Sequence, residues 1–98
     1  MPDLRVVATI PAKAGAEDVV RTALARLAEA SLAHEGCLGY ELFESAAAPG
    51  TFVTVETWRA QEDLDAHLRT EDIATAMAVA QGNLSDEIAV HPLQPVAG

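Results

Sequence analysis

The 98-residue chain predicts an α+β fold of the ferredoxin-like kind, β-α-β-β-α-β, with four antiparallel strands and the helices on one face. Three observations lead there. Apolar residues recur at helical spacing in two separate stretches, 16–33 and 61–81. Segments rich in Val, Ile and aromatics flank those stretches. Two of these segments are joined by Ala46-Ala47-Ala48-Pro49-Gly50, a loop of hairpin length. No internal repeat and no linker composition interrupts them, so residues 1–98 read as one domain with its core at about 4–93.

The elements follow in order. Leu4 to Ile10 is a strand with apolar residues on both faces: Leu4, Val6, Ala8 and Ile10 on one, Val7 and Thr9 on the other. Pro11 and Gly15 break it, and Glu17 and Asp18 suit the positive end of a helix. That helix carries Val20, Ala23, Leu24, Leu27 and Ser31 on one stripe, and Gly36 stands where a left-handed residue closes a helix. Cys37 to Ser45 and Thr51 to Trp58 form the hairpin. Gln61 to Leu68 and Thr70 to Gln81 are two helical pieces, the second capped by Thr70. Asp86 to Leu93 returns as the last strand before Pro95. Phe43, Val53, Val55 and Val7 would then share the sheet face away from the helices. An apolar patch of that kind is economically covered by a second copy, sheet against sheet.

Composition narrows the partners. Fifteen acidic against six basic side chains give a net charge of −9, which disfavours nucleic acid and anionic membrane. Cys37 is the single cysteine, so neither an intrachain disulfide nor a cysteine-rich zinc site is expected. The opening residues lack the apolar core of a signal peptide and no run is long enough to span a bilayer, so a soluble cytoplasmic protein is expected.

The chemistry-bearing residues cluster on the hairpin and the first short helix. Thr54, Glu56 and Trp58 alternate onto one strand face. Pairing Ser45 with Thr51 sets Tyr40 opposite Glu56 and Leu38 opposite Trp58. Trp58 suits packing beneath a helix or contact with a substrate, and Tyr40 is a packing residue or a pocket residue. Glu56, among apolar neighbours, needs a partner: an ion pair with Arg59 or Arg69, or a catalytic role. His67, beside Leu64 and Leu68, is a core histidine or a base, since imidazole titrates near neutrality. His34 at a helix end and His91 beside Pro92 are weaker candidates, and the three histidines do not have metal-site spacing.

Glu35-Gly36-Cys37-Leu38-Gly39-Tyr40, Val55-Glu56-Thr57-Trp58 and Leu64-Asp65-Ala66-His67-Leu68, in that order and at those distances, resemble the antibiotic-biosynthesis monooxygenase family, especially its small quinol-monooxygenase-like members. The resemblance spans about Leu4 to Leu93 and implies a dimeric α+β barrel. It also implies a cavity between sheet and helices bordered by the Trp of the second stretch, which assigns Trp58, Glu56 and Thr54 to the helix side, with His67 looking into the same space. Two positions depart from the family: similar proteins often carry Glu at His34 and His at Asp72. Haem-degrading relatives would need an Asn at Thr9 and an iron-binding His at Met77, so haem degradation is not expected.

The implied activity is a cofactor-independent monooxygenase with dioxygen as co-substrate, acting on an electron-rich aromatic such as a quinol or an anthrone-like polyketide. No Gly-rich dinucleotide fingerprint, metal cluster or basic patch for a phosphorylated cofactor is present in the sequence. On that expectation His67 is the base, oriented by Glu56, and Trp58, Tyr40, Leu38, Thr54 and Leu64 contact substrate. The alternatives are a dimeric ligand-binding or scaffold domain without turnover, and a non-oxidative isomerase of the same fold.

Overall fold

The computed structural model describes residues 3–97. Its elements run β1 (Leu4–Pro11), α1 (Glu17–Ser31), β2 (Cys37–Glu44), β3 (Thr51–Trp58), α2 (Gln61–His67), α3 (Glu71–Ala80) and β4 (Ala89–Pro92). The strands form one antiparallel sheet in the order β2-β3-β1-β4, and the helices cover one face. This is the α+β ferredoxin-like arrangement that the pattern predicts.

Alternation places the core. Val6, Ala8 and Ile10 of β1 and Phe52, Thr54, Glu56 and Trp58 of β3 are all buried under the helices, and they face one another as Val6↔Glu56, Ala8↔Thr54 and Ile10↔Phe52. Helix α1 contributes Val20, Leu24 and Leu27 to the larger cluster, around Phe52 and Ile10. A second cluster joins Val6, Tyr40, Trp58 and Leu64. The opposite sheet face carries Val7, Val53, Val55 and Phe43, none of them buried, and Phe43 is 49% exposed.

Local chemistry sets the boundaries. Ser45 N–H donates to the Thr51 carbonyl at 2.8 Å, closing the hairpin where expected. Thr70 caps α3, its hydroxyl oxygen accepting from Ile73 N–H at 3.3 Å. Two expectations change. Gly36 does not close α1, which ends at Leu32 in a right-handed conformation. Gly36 instead turns the chain into β2 at φ 77°, with a carboxylate carbon of Asp63 only 2.1 Å from where a Cβ would stand; backbone sign and space both call for glycine. The last strand is also shorter than the apolar pattern suggests, four residues from Ala89. Leu84 makes only an isolated bridge to Ala12.

The register of β2 differs by one residue from the expectation. A bulge between Cys37 and Gly39 puts Cys37, not Leu38, opposite Trp58. A bulge adds a residue to one strand and swings it out of the ladder, and Leu38 is left 57% exposed. Tyr40 does lie opposite Glu56.

Candidate active site beneath the helices

Three strand positions build the floor. Thr54, Glu56 and Trp58 point the same way at two-residue intervals, and each end of the row donates to the middle. Thr54 Oγ1 donates to one Glu56 oxygen at 2.6 Å, and Trp58 Nε1–H donates to the other at 2.9 Å. The buried carboxyl is therefore satisfied within its own strand. The expected ion pair is absent: Arg59 binds Asp63 and Glu35 on the surface instead. The indole N–H is correspondingly occupied by Glu56 and is not presented to a ligand.

His67 ends α2 and is 2% exposed. Its ring stacks at a tilt over Trp58, with centroids 4.6 Å apart, and lies 5.7 Å from Tyr40. The orienting partner is not Glu56. His67 Nδ1 hydrogen-bonds His34 Nδ1 at 2.8 Å, and His34 Nε2 in turn meets Asp72 Oδ2 at 2.8 Å. His34 comes from the turn after α1 and Asp72 from the first turn of α3, so three separate segments converge on one line. The two positions at which the sequence departs from its resemblance are thus each other's partners.

His67 Nε2 has no hydrogen-bond partner among the described residues and is not sealed off. The His67 ring lines an apolar cavity of about 90 Å3 walled by Leu24, Leu27, Tyr40, Leu64, Met77 and Ile88, with Thr54 and Glu56 beside it on the polar side. Leu68 and Val90, partly exposed, stand at its rim. Burial, with His34 beside it, pushes His67 down to about 4, partly offset by Asp72. Burial and the nearby Glu56 carboxyl push the Tyr40 phenol well above its usual range, so it stays protonated and able to donate.

Of the residues singled out from sequence, Tyr40, Thr54, Glu56, Leu64 and His67 line this cavity together. Trp58 lies behind His67 and props it, and Leu38 is carried outward by the bulge. His34 and Asp72 were passed over because their distance from His67 along the chain hides the contact. The one available signal was that both depart from the family at polar positions. Among the described residues no three His, Cys, Asp or Glu side chains are grouped to hold a metal ion.

Residues 3–79 match the family described as antibiotic biosynthesis monooxygenase. The chain belongs to that family. Solved structures agree. A crystal structure of an antibiotic biosynthesis monooxygenase, at 29% identity, superposes with a TM-score of 0.88, covering 96% of this chain and 99% of the other. Rv0793 from Mycobacterium tuberculosis is 27% identical, with a TM-score of 0.88 and coverage of 99% and 98%. PA3566 from Pseudomonas aeruginosa is 27% identical, with a TM-score of 0.89 and coverage of 99% and 97%. A search of the curated proteins finds no match. The family relation supports the antiparallel α+β architecture; the substrate has to be argued from the cavity. No helix among the described residues is long and apolar enough to cross a membrane.

Proposed function

We propose that this family member is a cofactor-independent monooxygenase that converts a ring C–H of an electron-rich phenol, such as a quinol or an anthrone, into a carbonyl. The observation that carries the reading is a buried, neutral His67 that lines an apolar cavity with its Nε2 unpaired among the described residues. Such a nitrogen can take the acidic proton of the substrate. The electron-rich anion then gives an electron pair to dioxygen, forming a C–O bond and a peroxide anion. The peroxide takes the proton back from His67. Loss of the remaining ring C–H proton with cleavage of the O–O bond leaves a carbonyl and water. One dioxygen is consumed: one of its atoms ends in the product and the other in water. A dry, apolar wall protects the anion, and the protonated Tyr40 hydroxyl supplies a donor.

The cavity of about 90 Å3 is smaller than the roughly 300–1,000 Å3 of sites that bury drug-sized ligands. A bicyclic substrate therefore enters by displacing the rim, Leu68 and Val90, and the unbranched Met77. The same observation favours a second reading, a scaffold domain whose cavity stays closed. Oxygen uptake with a panel of quinols and anthrones separates them. Turnover with one labelled oxygen atom entering the product is expected. No uptake with any member of the panel, and no shift of the His67 and Tyr40 resonances on adding them, would overturn the oxidative reading in favour of a domain that does not bind such phenols.

The active form in this proposal is a homodimer joined through the sheet face bearing Val7, Val53, Val55 and Phe43. Its covering would remove the apolar surface that the helices leave open. Sedimentation at micromolar concentration is expected to give a dimer, and the double change Val53→Asp with Val55→Asp a monomer or an aggregate. A monomeric wild-type chain would sink this part of the proposal.

A further inference from the structure

His67, His34 and Asp72 are 2%, 14% and 50% exposed in that order, so their line runs from the cavity beneath the helices to open water. It ends in the groove of about 610 Å3 between α1 and α3, which Asp72 borders together with Asp18 and Arg26. Resting on the base role given to His67 above, we propose that these three residues form a proton wire. In it His67 takes the substrate proton, and His34, held against Asp72, stores the resulting charge.

The direction of the wire follows from hydrogen-bond chemistry. Two ring nitrogens 2.8 Å apart need one N–H and one lone pair between them. At the outer end a carboxylate oxygen can only accept, so the proton of neutral His34 belongs on Nε2, pointing at Asp72 Oδ2. His34 Nδ1 is then bare and accepts from the Nδ1–H of His67. That leaves Nε2 of the cavity-lining His67 ring bare, in the form a base requires. The carboxylate thus selects the active tautomer of a ring it does not touch.

The wire also answers an energetic difficulty. A buried imidazole that accepted a proton and kept it would hold a cation against Trp58 and Tyr40, and burial holds His67 far below neutrality for that reason. The groups facing it are Tyr40 from β2, Glu56 from β3, His34 and Asp72; Lys and Arg are absent from the cavity wall. When a substrate proton arrives at Nε2, the Nδ1–H bond of His67 breaks and a new one forms at His34 Nδ1. His67 is neutral again, and the imidazolium sits on His34 beside the carboxylate, near water. The reverse shift returns the proton through His67 Nε2 to the peroxide anion and restores the starting tautomers. No proton is gained or lost over the cycle. His34 and Asp72 are positioning residues here; His67 alone meets substrate.

The test uses nitrogen-15 NMR of histidine-labelled, substrate-free protein, so it does not depend on finding the substrate. At neutral pH we expect His67 protonated on Nδ1 and bare on Nε2, with His34 protonated on Nε2. Asp72→Ala, a half-exposed change at the start of α3, should shift the tautomer ratio at His67 about tenfold or more, the scale set by losing a charge-assisted hydrogen bond. His67 carrying its proton on Nε2 in the wild type, or a ratio that Asp72→Ala moves less than twofold, would overturn the wire. If the tautomers are as expected but no quinol is oxidised, the oxidative reading fails and the selection of the tautomer by Asp72 stands.

Discussion

His67→Ala is expected to lower turnover by roughly 10²–10⁴, the usual worth of a positioned general base, in any quinol assay that the wild type passes. Among the described residues that line the cavity, the ring alone has a free basic nitrogen: the Glu56 oxygens are occupied by Thr54 and Trp58, and the Tyr40 phenol holds its proton. The wild-type rate should be level across neutral pH and fall on the acid side as the His67 ring, pushed down to about 4 by burial, takes up its proton. The variant has a second signature. A folded-state value of about 4 against the ordinary 6.5 means that the unfolded chain, not the folded one, binds a proton as pH falls through 6.5. Stability from this group is therefore unaffected above 6.5, declines between 6.5 and 4, and is lost below. The full loss is on the order of 3 kcal/mol. Urea midpoints at pH 7 and pH 4.5 should differ less in His67→Ala than in the wild type. Unchanged turnover in the variant would show that the substrate ionises without this ring.

Trp58→Ala should be the most destabilising single change in the hairpin, by about 3–5 kcal/mol. Trp58 is wholly buried in the smaller core cluster with Val6, Tyr40 and Leu64, and its indole supports the His67 ring. Against a total stability of roughly 5–15 kcal/mol, much of the chain would be unfolded or insoluble. Trp58→Phe isolates a different contribution. A phenyl ring keeps most of the packing but leaves one buried Glu56 oxygen without its donor, which costs about 1–3 kcal/mol. A double-mutant cycle of Trp58→Phe with Glu56→Gln, read by chemical denaturation, should show coupling of similar size. A Trp58→Phe protein as stable as the wild type, with no coupling, would mean that the indole hydrogen bond contributes nothing.

The row Thr54, Glu56, Trp58 also shows how much could be read in advance. Two-residue spacing put all three on one face, and the structure keeps them there. Glu56 is expected to pair with Arg59 or Arg69, but its donors are Thr54 and Trp58, two residues away on either side. A strand face supplies such contacts locally, and charge pairing was the wrong place to look. Leu38 was lost for a different reason. One extra residue in a bulge flips a side chain across the sheet, and the signal for it was Gly39, since a glycine within a strand often marks a bulge.

Alternation, helical periodicity and turn residues act over a few positions, and so the sequence by itself determined the element order, the antiparallel sheet and which residues share a strand face, while the resemblance to the family assigned the face of Trp58 to the helices. The cavity and its chemistry depend on groups brought together from afar. His34 lies 33 residues from His67 and 38 from Asp72, and both departures from the family looked like losses when taken one at a time. Only the packing of α3 against the end of α1 makes them one interaction. A hydrogen bond at 2.8 Å is set by the positions of three backbones at once, and local patterning does not specify those positions.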